Sequence, residues 1–441
     1  MNSFSPLNYL KIKQKNMIKL LAVTVALVAF NIVGATTLQE KLLKINGVVS
    51  VEQLEKGSFL ERYVVTFTQP LDHKNLKKGT FEQRVVVAHA GDNRPTLLVT
   101  EGYGGARALS PRYREEISTK LNTNQIFVEH RFFGESTPSP CNWDFLTGEN
   151  ASGDLHAVRE ALREIYPAKW VASGVSKGGQ NTMIYASFYP DDVDVYVPYV
   201  GPVCFGVEDG RHEPFLENVG SEGEREVILN FQKEVLKRRQ ELMPLFREYC
   251  EGKGYKFQIP IEEVFDYTVL EYPFSIWQWG TAVSTIPPVD GSHQELFDHL
   301  VAIVGPDYLA ISDEPSFFVQ AARELGYYGY DTKPFDGLLA IKDARGYLKK
   351  VFLPKDAQNI KFSKNLSNKI TDYLLKNDPK MIFIYGEIDP WSAAMPLAKV
   401  FDGKKNMQLV IEKRGSHRAR INSLPEAERD AVWALLAGWL K

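Results

Sequence analysis

The sequence predicts an α/β fold: a mainly parallel sheet covered on both faces by helices and interrupted by one long helical insertion. Three observations predict it. Short apolar runs such as "PTLLVTEGYGG" (95–105) are separated by stretches with helical spacing, and buried apolar strands between helices imply parallel pairing. From about 205 to 378 the chain turns helical and charged, and strand texture returns only at "KMIFIYGEIDPW" (380–391). The stretch "WVASGVSKGGQNTMIYA" (170–186) reads as a buried strand, a cramped turn and a helix.

The elements follow in order. "ERYVVTFTQPLDH" (61–73) and "TFEQRVVVAHA" (80–90) alternate apolar and polar residues on either side of "NLKKG", an antiparallel strand pair. The strand at 95–105 ends in a glycine-rich loop, and "NQIFVEHRFFGES" (124–136) is another strand with a loop. Leu155, Val158, Leu162 and Ile165 give helical spacing over 151–167. A strand at 169–175, the turn at Ser176 and a helix over 177–188 come next, then strand-like "DVDVYVPYVGPV" (192–203). Within the insertion, "EREVILNFQKEVLKRRQELMPLFREYCEGKG" reads as one amphipathic stretch. "NMQLVIEKRGSH" (406–417) is the last strand, and a helix over 424–440 closes the chain. No internal repeat or low-complexity tract is seen. The expected division is a signal peptide at 1–35, a first core segment at 36–204, a helical cap at 205–378 and a second core segment at 379–441.

The chain has 441 residues, 44% of them hydrophobic and 12% aromatic, enough for a sizeable core and against disorder. A formal charge of −3 gives no case for nucleic acid or an anionic membrane surface. The N-terminus differs in kind. Lys11, Lys13, Lys15 and Lys19 precede "LLAVTVALVAF" (20–30), and Val33 and Ala35 stand at the spacing a signal peptidase reads. Cleavage is expected after Ala35, and Met17 serves equally well as a start. The apolar run is short of the about 20 residues a bilayer needs, and no cysteine follows the cleavage point for a lipid anchor. The expected product is secreted or periplasmic, without a stable membrane anchor. Export permits disulfides, but Cys141, Cys204 and Cys250 allow at most one bridge, and no C-x-x-C pair suggests zinc or redox work.

Chemistry centres on Ser176. A serine hydroxyl needs an adjacent base and an exposed position to act as a nucleophile. A strand-to-helix elbow supplies the exposure, and Gly174 and Gly178 remove side chains that would clash there. His417 in "GSHRAR" lies just past the last strand, where the α/β-hydrolase chain order serine, acid, histidine places the base. Asp389 in "YGEIDPW" follows the preceding strand and is the expected acid, with Glu387 as its competitor. Two oxyanion donors are expected: the backbone N–H of Lys177, and that of Tyr103 or Gly104 in "EGYGG". This chemistry calls for no metal and no cofactor. Asp154 and His156 are two apart, point to different sides of a helix and are not a metal pair.

"TQPLDH…GTFEQRVVV", "EHRFFGESTP", "GVSKGGQNT", "GEIDPW" and "GSHRARI", in that order, resemble the secreted tripeptidyl aminopeptidase family of serine peptidases and its relatives, prolyl carboxypeptidase and dipeptidyl peptidase II. The resemblance runs from about residue 60 to the C-terminus, the insertion matching only in size and placement. It implies an α/β-hydrolase core with a helical cap, Ser176, Asp389 and His417 as a triad, and peptide substrates with free N-termini. "EGYGG" and "GSHRAR" depart from the prolyl carboxypeptidase pattern and look closer to the tripeptidyl group, leaving proline preference and the number of residues released open. Such an enzyme must bind an ammonium group, and Glu101, at the mouth of the oxyanion loop, is the expected ligand. Glu129 and Arg131 in "EHRFF" are expected to pair with each other as scaffold. The competing readings are a dipeptidyl or prolyl-specific peptidase, an esterase-type acyl hydrolase on the same triad, and a non-catalytic exported binding protein.

Overall fold

The computed structural model describes residues 36–312 and 314–441. The expected signal segment and its cleavage point lie outside them. Residues 36–45 belong to a unit of their own and hold a short helix, Leu38–Leu43, opened by a capping box between Thr37 and Glu40. Among the described residues, no helix is long and apolar enough to cross a membrane.

Residues 46–441 form the second unit, built on a nine-stranded sheet. Its strands are β1 (Val48–Gln53), β2 (Glu61–Pro70), β3 (Thr80–His89), β4 (Thr96–Thr100), β5 (Asn124–Val128), β6 (Trp170–Val175), β7 (Val195–Tyr199), β8 (Met381–Gly386) and β9 (Met407–Glu412), in the order β1-β2-β3-β5-β4-β6-β7-β8-β9. The alternating segments pair as their pattern requires: β2 and β3 run antiparallel in unbroken register from Glu61 opposite His89 to Pro70 opposite Thr80. β1 adds an edge strand that the sequence pattern does not announce. It buries only Val51, and a register shift between Val48 and Ser50 blurs its period. From β5 to β9 all pairing is parallel. β4, β5, β7 and β8 are buried at every position, which is why they read as continuous apolar runs.

The chain steps from β4 to β5 on one side and then to β6 on the other. In an open parallel sheet such a reversal leaves a crevice beyond the carboxyl ends of the strands. The loop after β4, the turn after β6 and the ends of β8 and β9 share that rim. The sheet with its flanking helices is an α/β-hydrolase core, and the insertion between β7 and β8 is helical. Its main helices are Glu222–Lys237, Arg239–Gly252, Ile261–Trp279 and His293–Ile303, packed around an apolar core of their own that includes Phe231, Phe246, Phe265 and Leu296. The one amphipathic stretch expected here is two helices that meet at Arg238. Its guanidinium donates to the carbonyls of Val289 (2.5 Å) and Gly291 (2.6 Å), so contacts from a distant loop hold a bend that the apolar period does not reveal. All three cysteines are free thiols, Cys141 exposed, Cys204 and Cys250 buried.

Candidate active site

Ser176 sits between β6 and the helix Lys177–Phe188 with φ 59° and ψ −121°. A non-glycine residue held there stores on the order of 1–3 kcal/mol of backbone strain. The surroundings enforce it. The Ser176 N–H donates to the Tyr199 carbonyl at the end of β7 (2.9 Å), and the Ser176 carbonyl accepts from the Gln180 N–H (2.9 Å). The glycines make the approach possible: a Cβ on Gly174 would stand 2.4 Å from the Gly178 carbonyl oxygen, and one on Gly102 2.7 Å from the Lys177 side chain. The sequence pattern credits Gly174 and Gly178 with this role, and Gly102 shares it.

His417 and Asp389 meet. Nδ1 of His417 lies 2.7 Å from Asp389 Oδ2, and both side chains are buried. Asp389 Oδ1 accepts from the Trp391 N–H (3.1 Å), which fixes the carboxylate at the start of a short helical turn. The His417 N–H donates to the Gln278 carbonyl (2.9 Å), tying the histidine loop to the insertion helix Ile261–Trp279. Glu387, the competing acid, is exposed and accepts from the Arg414 N–H instead (2.7 Å).

Ser176, Lys177 and Tyr103 line a cavity of about 330 Å³. Its other walls come from the insertion and include Glu271, Ser275, Gln278 and Tyr327, with Trp391 from the β8 side. Lys177 heads its helix, so its backbone N–H has no partner within that helix. Its side chain, which the sequence pattern does not single out, is buried. Nζ donates to the Gly102 carbonyl (2.5 Å) and faces the rings of Tyr103 and Phe133. Burial pulls this ammonium down to about 7, against the charges of Glu101 and Glu324. Asn181 Nδ2 donates to the Glu101 carbonyl (2.8 Å), a further tie between the elbow helix and the glycine-rich loop.

Three expectations are corrected. The Tyr103 N–H is not a free oxyanion donor, because it donates to Glu101 Oε1 (3.1 Å). The Tyr103 hydroxyl faces Ser176 instead; burial and the charge of Glu101 push that phenol up. Gly104 remains the loop amide open to that role. Glu101 does not line the cavity. It is buried with Oε2 on Arg107 Nη2 (2.5 Å) and Oε1 on the loop backbone, so it props the glycine-rich loop after β4. Glu129 and Arg131 do not pair with each other. Glu129 takes Arg84, the Gly105 N–H and Ser136, while Arg131 takes Asp154 and the carbonyls of Pro70, Leu71 and Phe145. Side chains on an extended segment are shared out among whatever partners the neighbouring elements bring, and here those partners differ. Asp154 and His156 likewise part, His156 meeting Asp192 (2.8 Å).

Glu271 is the cavity residue that the sequence pattern passes over. The signal for it is a lone carboxylate inside "YTVLEYPFSIW" (267–277), in the mostly apolar second half of a helix.

Most of the chain has relatives among known proteins. The pattern of PS-10 peptidase S37 matches residues 33–439. Prolyl tri/tetrapeptidyl aminopeptidase from Streptomyces mobaraensis is 29% identical over 417 residues, which cover 91% of this chain and 84% of that protein. Lysosomal Pro-X carboxypeptidase from Mus musculus is 27% identical over 184 residues, 37% of this chain and 38% of that one. Among solved structures, proline iminopeptidase from Mycobacterium smegmatis matches with a TM-score of 0.40 and 15% identity, over 89% of this chain and 99% of that chain.

Proposed function

The chain belongs to the PS-10 peptidase S37 family and is a serine peptidase, and we propose that it is exported and releases short peptides, three residues long, from free N-termini. Ser176 Oγ attacks the scissile carbonyl carbon while its proton passes to His417 Nε2. Asp389 holds Nδ1–H and stabilises the imidazolium. The C–N bond breaks as His417 returns that proton to the leaving amine, and the released N-terminal fragment stays esterified to Ser176. A water that gives its proton to His417 then frees the peptide acid and restores the serine. The Lys177 N–H and the Gly104 N–H receive the oxyanion. The helical insertion acts as the cap that limits how much chain fits beyond the serine.

One observation carries the reading: a buried Asp389–His417 pair stands on the same rim as a strained serine that opens on a cavity walled by the insertion. The basic and apolar segment ahead of Ala35 supports export, and the name of the Streptomyces relative, a prolyl tri/tetrapeptidyl aminopeptidase, supports short fragments of three or four residues.

The test uses peptide anilides with free and acetylated N-termini, together with a fluorophosphonate that titrates the serine. Wild type is expected to label and to cleave free-amine tripeptide anilides. Ser176→Ala is expected to lose labelling and at least about three orders of magnitude in kcat. Equal cleavage of acetylated substrates would turn the reading toward an acyl hydrolase without exopeptidase selectivity.

A further inference from the structure

Glu271 lies in the middle of the insertion helix Ile261–Trp279 and is 4% exposed. Four hydrogen bonds reach its carboxylate, all from hydroxyls: Tyr328 to Oε1 (3.1 Å) and Oε2 (2.9 Å), Tyr330 to Oε2 (2.8 Å) and Ser275 to Oε1 (3.3 Å). Among the described residues, no cation is a partner of this carboxylate. Every other buried carboxylate among them has a basic one: Glu101 has Arg107, Glu129 Arg84, Asp154 Arg131, Asp192 His156, Asp209 Arg211, Asp266 Arg239 and Asp389 His417. Buried charges are ordinarily paired, because desolvating one alone is costly. Glu271 is the exception, and it lines the cavity that Ser176 opens into.

From these observations, and resting on the aminopeptidase reading above, we propose that Glu271 is the anchor for the substrate's N-terminal ammonium, completing its ion pair only when a peptide is bound. The α-ammonium supplies the missing cation and three donors for a carboxylate that has only acceptors. Asp307, the other acid of the cavity wall, is exposed, and an ion pair in water contributes little. Lys177, the cation of the wall, is turned away onto the Gly102 carbonyl.

The helix also sets a length. Glu271, Ser275 and Gln278 lie on one face at i, i+4 and i+7, and all three line the cavity. The Gln278 carbonyl holds the backbone of His417 (2.9 Å), so one end of this face marks the catalytic base and the other the proposed anchor. Seven residues of helix span about 10 Å, the reach of about three extended residues. A peptide anchored at Glu271 therefore presents its third carbonyl near Ser176. Pro273 sits on the opposite side of the helix and interrupts it without loosening it. It cannot donate to the Val269 carbonyl, and Gln232 Nε2 does so instead (2.7 Å).

The experiment compares kcat/KM for a tripeptide anilide with a free amine and for its N-acetylated twin, in wild type, Glu271→Gln and Glu271→Met. Rates are normalised to the sites titrated by the fluorophosphonate. Wild type is expected to prefer the free amine strongly, and both variants to lose about 100-fold of that preference, chiefly through KM, as expected when one partner of a buried charge pair is removed. Either variant that titrates is sufficient for the comparison. A wild-type preference kept intact in the variants overturns the role of Glu271 and leaves the exopeptidase reading standing. Absence of any preference in wild type overturns both.

Discussion

An unpaired carboxylate in a protein core destabilises the fold, and the cost at Glu271 should be measurable as a function of pH. Burial pushes its carboxyl up from 4.5 to about 7, with the hydroxyls of Tyr330, Tyr328 and Ser275 pulling the other way. A folded-state pKa above the unfolded one means that the native state holds the proton more tightly. Stability from this group is therefore full below about pH 4.5 and is lost as pH rises through about 7. Worked through the linkage relation, the wild type forfeits about 1 kcal/mol at pH 5 and about 3 kcal/mol at pH 8 relative to a side chain that never ionises. Glu271→Gln is such a side chain, of the same shape, and its amide can still bond the Tyr328 and Tyr330 hydroxyls. Those phenols, with Tyr308 behind them, are pushed well above their ordinary range by burial and do not titrate between pH 5 and 8. Lys177 changes charge in that window, but it is common to both proteins and cancels in the difference. Urea unfolding at the two pH values should show the variant gaining about 2 kcal/mol more over wild type at pH 8 than at pH 5. An equal increment at both, or a loss at pH 8, would refute the claim that Glu271 is held without a cation.

Two further outcomes follow from the site. Asp389→Asn should keep the fold and the contact to His417 but hold the ring in the wrong tautomer, lowering kcat by about ten-thousand-fold in steady-state assays. Gly174→Ala sets a Cβ 2.4 Å from the Gly178 carbonyl oxygen, which is backbone and cannot step aside, so thermal unfolding should show a loss on the order of 3 kcal/mol together with loss of phosphonate labelling.

The sheet was legible because its strands announce themselves by composition. Buried parallel strands such as β8, "MIFIYG", have no polar face to confuse the period, and the β2–β3 hairpin carries clean alternation. β1, "VVSVEQ", escaped despite its three valines because only Val51 is buried, Val49 is exposed and a register shift between Val48 and Ser50 breaks the alternation. The placement of Ser176, Asp389 and His417 was legible from chain order, since each follows a strand of the parallel set, and the contact between Asp389 and His417 agrees with it. What the sequence could not reveal was pairing. Glu101, Glu129 and Arg131 are all charged residues near the rim, and only the folded chain shows that each is committed elsewhere, to Arg107, Arg84 and Asp154. Glu271 was hidden for the opposite reason: its distinction is the partner it lacks, and a missing partner leaves no mark in a linear pattern.

Ser176 and Glu271 share a physical condition. The serine is held in a backbone conformation that L-residues avoid, and the glutamate in a core that carboxylates avoid. Neither contact network relaxes the residue it holds. The glycine contacts around Ser176 forbid retreat of the elbow, and the tyrosines around Glu271 supply hydrogen bonds without charge. For Glu271 in its charged form, the cost is recovered when a cation enters the cavity. A peptide that satisfies Glu271 but stops short of the serine recovers binding alone, whereas one that reaches both places its carbonyl at the nucleophile with its amine already fixed. Binding energy at the far end of the cavity then holds the scissile carbonyl in place at the near end. The helix Ile261–Trp279 makes the two ends answer to each other, because it carries Glu271 and, through the Gln278 carbonyl, steadies the loop of His417. Shifting that helix by one residue would move the anchor by about 1.5 Å and rotate it by about 100°, so the length of the fragment released is a property of one rigid element and not of the loops around it.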